Sequence, residues 1–448
     1  MIDMIKISIP FKLDYCNTTK AMNGKSVSYV NLKECSVRGV TLESKSLSVT
    51  GHDEMGNYIV EADNLRHPYE ALPTSFTAIA FKIFSGTITR FPCIELKASP
   101  AKIIQGHNLF GSDDLELGVL ELIAALAHSY PDIIEMLDVQ DSVLDLIDAT
   151  YSCRVDNSFI ANQVIAQLKN VSNGHLRRAV KNEFETTCYF NKNSRHVDRK
   201  VYLKEHEYLA QIKKYTALAE KGNSHAQYIV DAMSDPRLIN YSRNLVRFEA
   251  SIKRRYLDEF AVPQRLFDSV DRFGVDQIGA ISFFKLYSEK ENVSIVQRMW
   301  EKAFSQLFKT FQGAKMNLFD DSLVRDELRL KYSSITKTGK VSYAKPDRLF
   351  RFYRSIMSDG YDNVKDTFHI ATFNKSLVQL SEIGLSKAQL QQINGIATDV
   401  SNVVSFTSVI NFEFSNQFPS WYVEPLNSPI ASAYQTADFA RVAHIKLA

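Results

Sequence analysis

The sequence predicts an α+β fold: strands with inserted helices over residues 1–312, then a mainly helical part over 313–448. Three observations carry this reading. Leu245 to Leu257 alternates strictly, with Val246, Phe248, Ala250 and Ile252 on one side and Arg247, Glu249, Ser251 and Lys253 on the other, as a half-buried strand requires. The runs Thr77–Phe84 and Phe91–Lys97 are β-like and flank a glycine-containing turn, which predicts a hairpin. After Gln264 the apolar period becomes helical, as in Ile295 to Phe311.

The remaining elements follow in chain order. The N-terminal Met1-Ile-Asp-Met-Ile-Lys-Ile-Ser-Ile-Pro alternates like a strand and carries an early acid, unlike a signal peptide. Asp113 or Ser112 can cap a helix whose apolar positions are Leu115, Val119, Leu122, Ile123 and Leu126. Val143–Arg154 reads as a strand, Ser158–Asn170 as a helix, and Glu205–Lys221 as a second helix. Gly313 to Ser322 reads as a linker. Beyond it Asp347–Ser358, Val364–Ile383 and Ser386–Ile396 are helical, divided by Gly360 and Gly384.

Composition narrows the possible functions. At 448 residues the chain exceeds one ordinary core, and 45% hydrophobic with 23% charged residues is the balance of a globular protein. The net charge is only +2, so affinity for nucleic acid has to come from a local patch. Five scattered cysteines without CxxC spacing speak for reduced thiols, against a disulfide framework or a zinc ribbon. The most apolar stretch, Leu115 to Leu126, is interrupted by Glu116 and Glu121, so no membrane span is expected. There is no GxxxxGK[ST], HExxH or GxSxG motif, which excludes a P-loop, a zincin helix and a nucleophile elbow.

Three carboxylates lie mid-strand on polar faces: Glu95 in Ile94-Glu-Leu-Lys, Asp148 in Ile147-Asp-Ala-Thr, and Glu249 in Arg247-Phe-Glu-Ala. If these strands are neighbours, the polar face presents the oxygen cluster that Mg²⁺ or Mn²⁺ requires. The competing reading pairs each acid with Arg247, Lys97 or Lys253. Asp148 is the best candidate, because Thr150 and Ser152 keep its face small and polar. His107, in Gln105-Gly-His-Asn, is a weaker candidate for a metal or phosphate.

Tyr202 lies among Arg195, Arg199, Lys200 and Lys204, just before Glu205 and Glu207. A free phenol has a pKa of about 10, so a nucleophilic tyrosine needs cations or a metal beside it. On a strand, Lys200, Tyr202 and Lys204 share a face; at a helix start, Tyr202 would meet Glu205 and His206. A strand running into a helix accommodates both. From Lys169 to Lys214 eleven basic residues face five acidic ones, a local excess suited to phosphate contacts. The competing reading of that stretch is a solvated loop and helix face. With twenty tyrosines in the chain, an ordinary boundary tyrosine is likewise the alternative for Tyr202.

Several segments resemble the gene II replication proteins of filamentous bacteriophages. They are Met1-Ile-Asp-Met, Pro73 through Ile83, Ile94 through Gly111, Ile147-Asp-Ala-Thr, Asn170-Val-Ser-Asn-Gly, Ser194-Arg-His, Tyr202-Leu-Lys-x-x-Glu207, Leu245-Val-Arg-Phe-Glu-Ala, and Trp421-Tyr-x-Glu-Pro. The resemblance covers essentially the whole chain. It implies a rolling-circle Rep-like endonuclease fold, an antiparallel sheet with helices packed on one face. It also implies an initiator that nicks the viral strand of the double-stranded replicative form at the origin and stays joined to the 5′ end through a phosphotyrosine. Such an initiator leaves a 3′-OH primer and recloses the displaced strand into a circle. The Tyr-x-Lys-x-x-Glu and Arg-Phe-Glu pieces also resemble replication initiators of some Gram-positive plasmids.

On this resemblance Tyr202 is the nucleophile and Lys204 its stabilising cation. A divalent metal, Mg²⁺ or alternatively Mn²⁺, would be held by Asp148 and Glu249 with Glu95 as a third ligand. The chain lacks the His-hydrophobic-His motif of the wider class, so carboxylates would have to serve. Arg195, His196, Arg199, Lys200 and Arg247 are the candidate DNA contacts. The implied partners are phage origin duplex, displaced single-stranded DNA, and host helicase and polymerase in the bacterial cytoplasm. An internal start at Met316 would release a C-terminal DNA-binding product, with Arg348, Arg351 and Arg354 suited to backbone contacts. Tyr151, Tyr189 and Tyr256 are the next candidate nucleophiles. Two rival readings are a non-catalytic origin- or single-strand-binding protein and a metal nuclease using water.

Overall fold

A computed structural model describes residues 1–20, 24–44, 46–52, 55, 58–63, 65–72, 79–169, 171, 186–311, 321–391, 393 and 409–423. Eight strands form one antiparallel sheet: β1 (Ile2–Pro10), β2 (Glu70–Ala71), β3 (Ala80–Phe84), β4 (Cys93–Ala98), β5 (Val143–Arg154), β6 (Thr187–Phe190), β7 (Val197–Leu203) and β8 (Leu245–Lys253). Their spatial order is β6-β7-β8-β5-β1-β4-β3-β2. The N-terminal strand is therefore central, between β5 and β4, and its isoleucines are fully buried.

Alternation divides the sheet into two faces. Ile5, Ile7 and Ile9 join Ile147, Ala149, Tyr151, Val246, Phe248, Ala250, Ile252 and Val201 on the apolar face. Helices α2 (Leu115–Ser129), α3 (Ser158–Lys169), α7 (Ala280–Glu291) and α8 (Ile295–Phe311) supply apolar residues to this same core. Trp300 of α8 donates its indole N–H to the Phe248 carbonyl at 2.9 Å, so the largest buried ring carries no unpaired polar atom. Gly118 lets α2 approach β1: a Cβ there would lie 2.5 Å from Ile5 Cδ1.

Helices pack on the apolar face as expected, and a loop backed by three further helices also reaches one end of the polar face. Helix α1 (Pro100–Gln105) ends at Gly106, whose φ of +76° turns the chain into a loop over residues 107–112. Leu109 and Phe110 of that loop make a second, smaller core with α4 (Lys204–Ala219), α5 (Ser224–Met233) and α6 (Pro236–Ser242). The loop's carbonyls bond Arg247, a residue of the polar face, so one end of that face is covered.

Element boundaries differ from expectation where capping chemistry intervenes. The cap of α2 is Asp114, which accepts from Leu117 N–H, rather than Asp113 or Ser112. Strand β8 stops at Lys253 and a short helix takes over from Arg254, so the alternation past that point is helical. The segment 364–383 is broken in two, because Phe368 is extended between Tyr361–Thr367 and Ile370–Ser381.

The C-terminal region is helical, with Asp321–Tyr332, Ala344–Asp359, Tyr361–Thr367, Ile370–Ser381 and Lys387–Gln391. It has its own core of Val324, Leu328, Leu349, Phe352, Tyr353, Ile356, Phe373, Leu377 and Leu380. The expected boundary at 312–313, Met316, and Arg177, Arg178 and Lys181 of the basic stretch lie outside the described residues. Among the described residues no helix is long and apolar enough to cross a membrane.

Candidate active site

The polar face carries the candidate residues on three adjacent strands. In the β7–β8 register Tyr202 lies opposite Arg247 and Lys200 opposite Glu249. In the β8–β5 register Arg247 lies opposite Ser152, Glu249 opposite Thr150, and Ser251 opposite Asp148. Tyr202, Arg247 and Ser152 thus form one rung, and Asp148 is the diagonal neighbour of Glu249 on the same face.

Tyr202 is only 3% exposed. It lies directly opposite Arg247 in the register, and Lys200 Nζ lies 3.9 Å from the ring centroid. The cations were expected to favour phenolate. Instead burial, and after it the Glu249 carboxylate, hold the phenol well above its ordinary pKa against the opposing effect of Arg247. At rest Tyr202 is a protonated phenol.

Lys204 is the first residue of α4, not a strand neighbour of Tyr202, yet its ammonium is wholly buried. It donates to Asn108 Oδ1 at 2.9 Å and to Glu207 Oε2 at 2.6 Å, and lies 5.9 Å from the Tyr202 ring. Burial and then Arg247 pull its pKa down to about 8. The spacing of Lys204 and Glu207 is that of an i,i+3 pair in the first turn of a helix.

Asp148 and Glu249 are the paired carboxylates. Burial, then the charge of Glu249, push Asp148 up to about 8. Burial raises Glu249 also, although Lys200 Nζ is 3.7 Å from its Oε2. Asp148 Oδ1 and Thr150 Oγ1 are buried and have no hydrogen-bond partner among the described residues. A buried and a half-buried carboxylate, one with an unmatched oxygen, suit a divalent cation by their chemistry. Among the described residues, however, no three His, Cys, Asp or Glu side chains are arranged to hold a metal.

Asp3 completes this buried cluster, and its role was not foreseen. It sits at a register irregularity of β1 between Ile2 and Met4, and accepts from Asn108 Nδ2 at 2.8 Å and Ser99 Oγ at 3.3 Å. Burial opposes its ionisation, but Arg247 and Lys204 prevail and hold its pKa below the ordinary value. A lone acid in an N-terminal strand gives no sequence signal for this; only the unusual Asp within an isoleucine alternation marks it.

Glu95 is not brought to the pair. It lies on β4, two strands beyond β5, and is held by Lys6 and Arg90, each at 3.2 Å, and by Tyr69 Oη at 2.5 Å. Burial opposes its ionisation, yet Tyr69 and Lys6 keep its carboxyl low, so its charge is already matched.

Two expected DNA contacts are instead structural. Arg247 is 1% exposed; its guanidinium donates to Ser152 Oγ at 3.1 Å and to the carbonyls of Asn108 and Leu109. Arg199 lies opposite Ala250 on the apolar face, and its Nε donates to the Ala303 carbonyl of α8. Arg195 is exposed, Lys200 half-buried, and His196 pairs with Glu259 at 2.6 Å. His107 is buried, and burial, then Lys204, lower its pKa to about 3, so it is a neutral ring within the cover.

The alternative tyrosines separate clearly. Tyr151 is on the apolar face, 5.1 Å from Trp300 between ring centroids, and the Tyr256 hydroxyl donates to the Met299 carbonyl at 3.2 Å. Tyr189, on edge strand β6 opposite Lys200, shares the face of Tyr202.

An antiparallel sheet with an apolar helix-packed face and a polar tyrosine–arginine–carboxylate face defines an α+β protein with a mostly helical C-terminal region. Family models narrow this further. Residues 1–272 match the N-terminal family of the phage replication-associated protein, the gene II product, and residues 335–428 match its C-terminal family. The chain is 40% identical over 436 residues to the replication-associated protein of Salmonella phage IKe, covering 95% of this chain and 97% of that protein. It is 37% identical over 432 residues to the replication-associated protein of Enterobacteria phage M13, covering 95% and 99%. The chain belongs to the gene II replication-associated protein family of filamentous phages. A solved rolling circle replication initiator protein from Geobacillus stearothermophilus is 11% identical, covering 59% of this chain and 80% of its own, with a TM-score of 0.20, too low to bear on the fold.

Proposed function

We propose that this chain initiates rolling-circle replication by nicking the viral strand of duplex origin DNA with Tyr202 and later rejoining the displaced strand. The observation that carries this reading is the rung Tyr202–Arg247–Ser152 beside the buried Asp148 and half-buried Glu249, in a chain of the gene II replication-associated family.

Tyr202 Oη attacks the phosphorus as its proton leaves; the P–O3′ bond breaks, and the 3′ oxygen takes up a proton to become a hydroxyl primer. The 5′ phosphoryl group stays on Tyr202, and attack by a 3′-OH reverses the step without ATP, because the ester energy is conserved. The neutral amine form of Lys204, populated as pH rises toward its pKa of about 8, accepts the phenol proton, and the ammonium so formed offsets the developing negative charge. The ammonium of Lys200 over the ring stabilises charge developing on the phenolate. Arg247 fixes the phenol's direction through contacts that leave the guanidinium no freedom. Asp148 and Glu249 would hold Mg²⁺ or Mn²⁺, which when bound polarises a phosphoryl oxygen as a Lewis acid.

Arg195 and Lys200 are the contacts we assign to origin duplex and displaced single strand, with host helicase and polymerase as partners in the bacterial cytoplasm. The decisive experiment traps the covalent protein–DNA adduct and maps its peptide. An adduct on the peptide containing Tyr202 supports the reading; free 5′ phosphates without an adduct would indicate a water-using nuclease. An adduct on Tyr189 would move the nucleophile one strand toward the sheet edge.

A further inference from the structure

A distant segment reaches the same rung. Strand β5 pairs with β1 only as far as Ala149, with Thr150 N–H donating to the Met1 carbonyl beyond it. Among the described residues no strand pairs with the backbone of Ser152 on that side. Gln417 takes that place: Ser152 N–H donates to Gln417 Oε1 at 2.9 Å, and Gln417 Nε2 donates to the Ser152 carbonyl at 3.1 Å. The carboxamide thus replaces a peptide group of a missing strand.

The segment carrying Gln417 is anchored on both sides of it. Phe412 packs 4.7 Å from Trp300, and Phe414 lies 5.2 Å from Tyr151, both on the apolar face. After Gln417, Trp421 and Tyr422 pack on Phe110, with Tyr422 at 4.7 Å and Phe418 stacked on Tyr422 at 5.1 Å. Tyr241 donates its hydroxyl to the Gln417 carbonyl at 3.0 Å. The strap therefore wraps the β5 edge from one face to the other.

Both of its grips lead to Arg247. Through Gln417 it fixes Ser152, whose Oγ accepts from Arg247 Nε. Through Phe110 it braces the loop whose Asn108 and Leu109 carbonyls accept from the same guanidinium. Arg247 in turn lies directly opposite Tyr202 in the β7–β8 register. We infer that Gln417 is a positioning residue for Tyr202, acting through Ser152 and Arg247, so that the C-terminal strap is an integral part of the nicking site.

This rests on the nicking reading above, and the test separates the two. Full-length wild type, Gln417→Met, Ser152→Ala and the double variant are compared on a negatively supercoiled plasmid carrying the intergenic DNA of the genome that encodes the chain. Adduct formation is measured in single turnover at saturating protein, beside the half-saturating concentration and the thermal midpoint. Gln417→Met is expected to slow the saturated rate about tenfold with half-saturation within twofold, as a misdirected nucleophile does. The double variant is expected to be no slower than the slower single one, since both cut one relay. A saturated rate unchanged or raised in Gln417→Met, or additive losses in the double variant, overturns the inference. If wild type itself forms no adduct, the nicking reading fails and this one with it.

Discussion

Asp148 and Glu249 stand diagonally on neighbouring strands of one sheet face, and the Glu249 carboxylate makes a charge on Asp148 costly. Burial is the larger cause and the Glu249 charge the second, so Asp148 keeps its proton up to about pH 8 rather than its ordinary 3.8. The unfolded chain releases that proton earlier, so the pair's contribution is fully present below about pH 4 and lost as pH rises toward 8. Without divalent metal, the thermal midpoint should fall between pH 5 and 8, and Asp148→Asn should flatten that slope. Millimolar Mg²⁺ at pH 8 should raise the midpoint of wild type and not of Asp148→Asn, by the mass action of a ligand bound only when folded. Differential scanning calorimetry checks both; an identical pH slope in the two proteins contradicts the reading.

Tyr202→Phe removes one oxygen and little volume. Nicking should drop by at least about a thousandfold, as for loss of a nucleophile whose partners remain in place. Binding to supercoiled origin DNA should stay within twofold, because the ring still packs under Lys200. Gel-shift titration and adduct trapping on the same preparations test this; nicking at wild-type rates by the Phe variant would remove Tyr202 from the chemistry and direct attention to Tyr189.

Arg247 is a fully buried cation with three carbonyl or hydroxyl acceptors. Arg247→Leu leaves the Asn108 and Leu109 carbonyls and the Asp3 carboxylate without their donor or counter-charge, which should cost about 3–5 kcal/mol. Urea unfolding measures it. A loss under about 1 kcal/mol would mean that the loop finds other donors.

Much of the sheet was legible because its period is two. The alternation over 143–154 and 245–253 sorted Asp148 and Glu249 onto the polar face correctly. The cover over Arg247 had no signal in the sequence, since the loop that supplies it bonds Arg247 from 139 residues away and no local pattern carries such a contact. Arg199 was misplaced for a different reason: a single arginine on the apolar register reads as a surface charge until α8 offers it a carbonyl. Glu95 shares the motif of the other two acids, but the sheet order puts β1 between it and Asp148. Strand order is a long-range property, invisible in spacing.

Glu95→Gln separates a ligand from a structural ion. The substitution removes the charge that Lys6 and Arg90 share, each at 3.2 Å, and should cost about 1.5–3 kcal/mol of stability as a lost charged hydrogen-bond set. Nicking rate and Mg²⁺ dependence should remain within twofold at a temperature where the variant is folded. A shift in the metal concentration for half-maximal nicking would restore Glu95 to the ligand set.

Arg195 and Arg199 differ by only four positions, yet lie in opposite environments: Arg195 is exposed, while Arg199 is tied to the Ala303 carbonyl. Arg195→Ala should leave the thermal midpoint unchanged and lower the slope of log affinity against log salt by about one, as loss of a single phosphate contact does. Arg199→Ala should do the reverse, destabilising the sheet–α8 junction while the salt slope stays put. Anisotropy titrations of fluorescent duplex across a salt series, read beside calorimetry, distinguish them. An equal salt slope in wild type and Arg195→Ala would take the phosphate contact away from this turn and leave Lys200 as its remaining candidate.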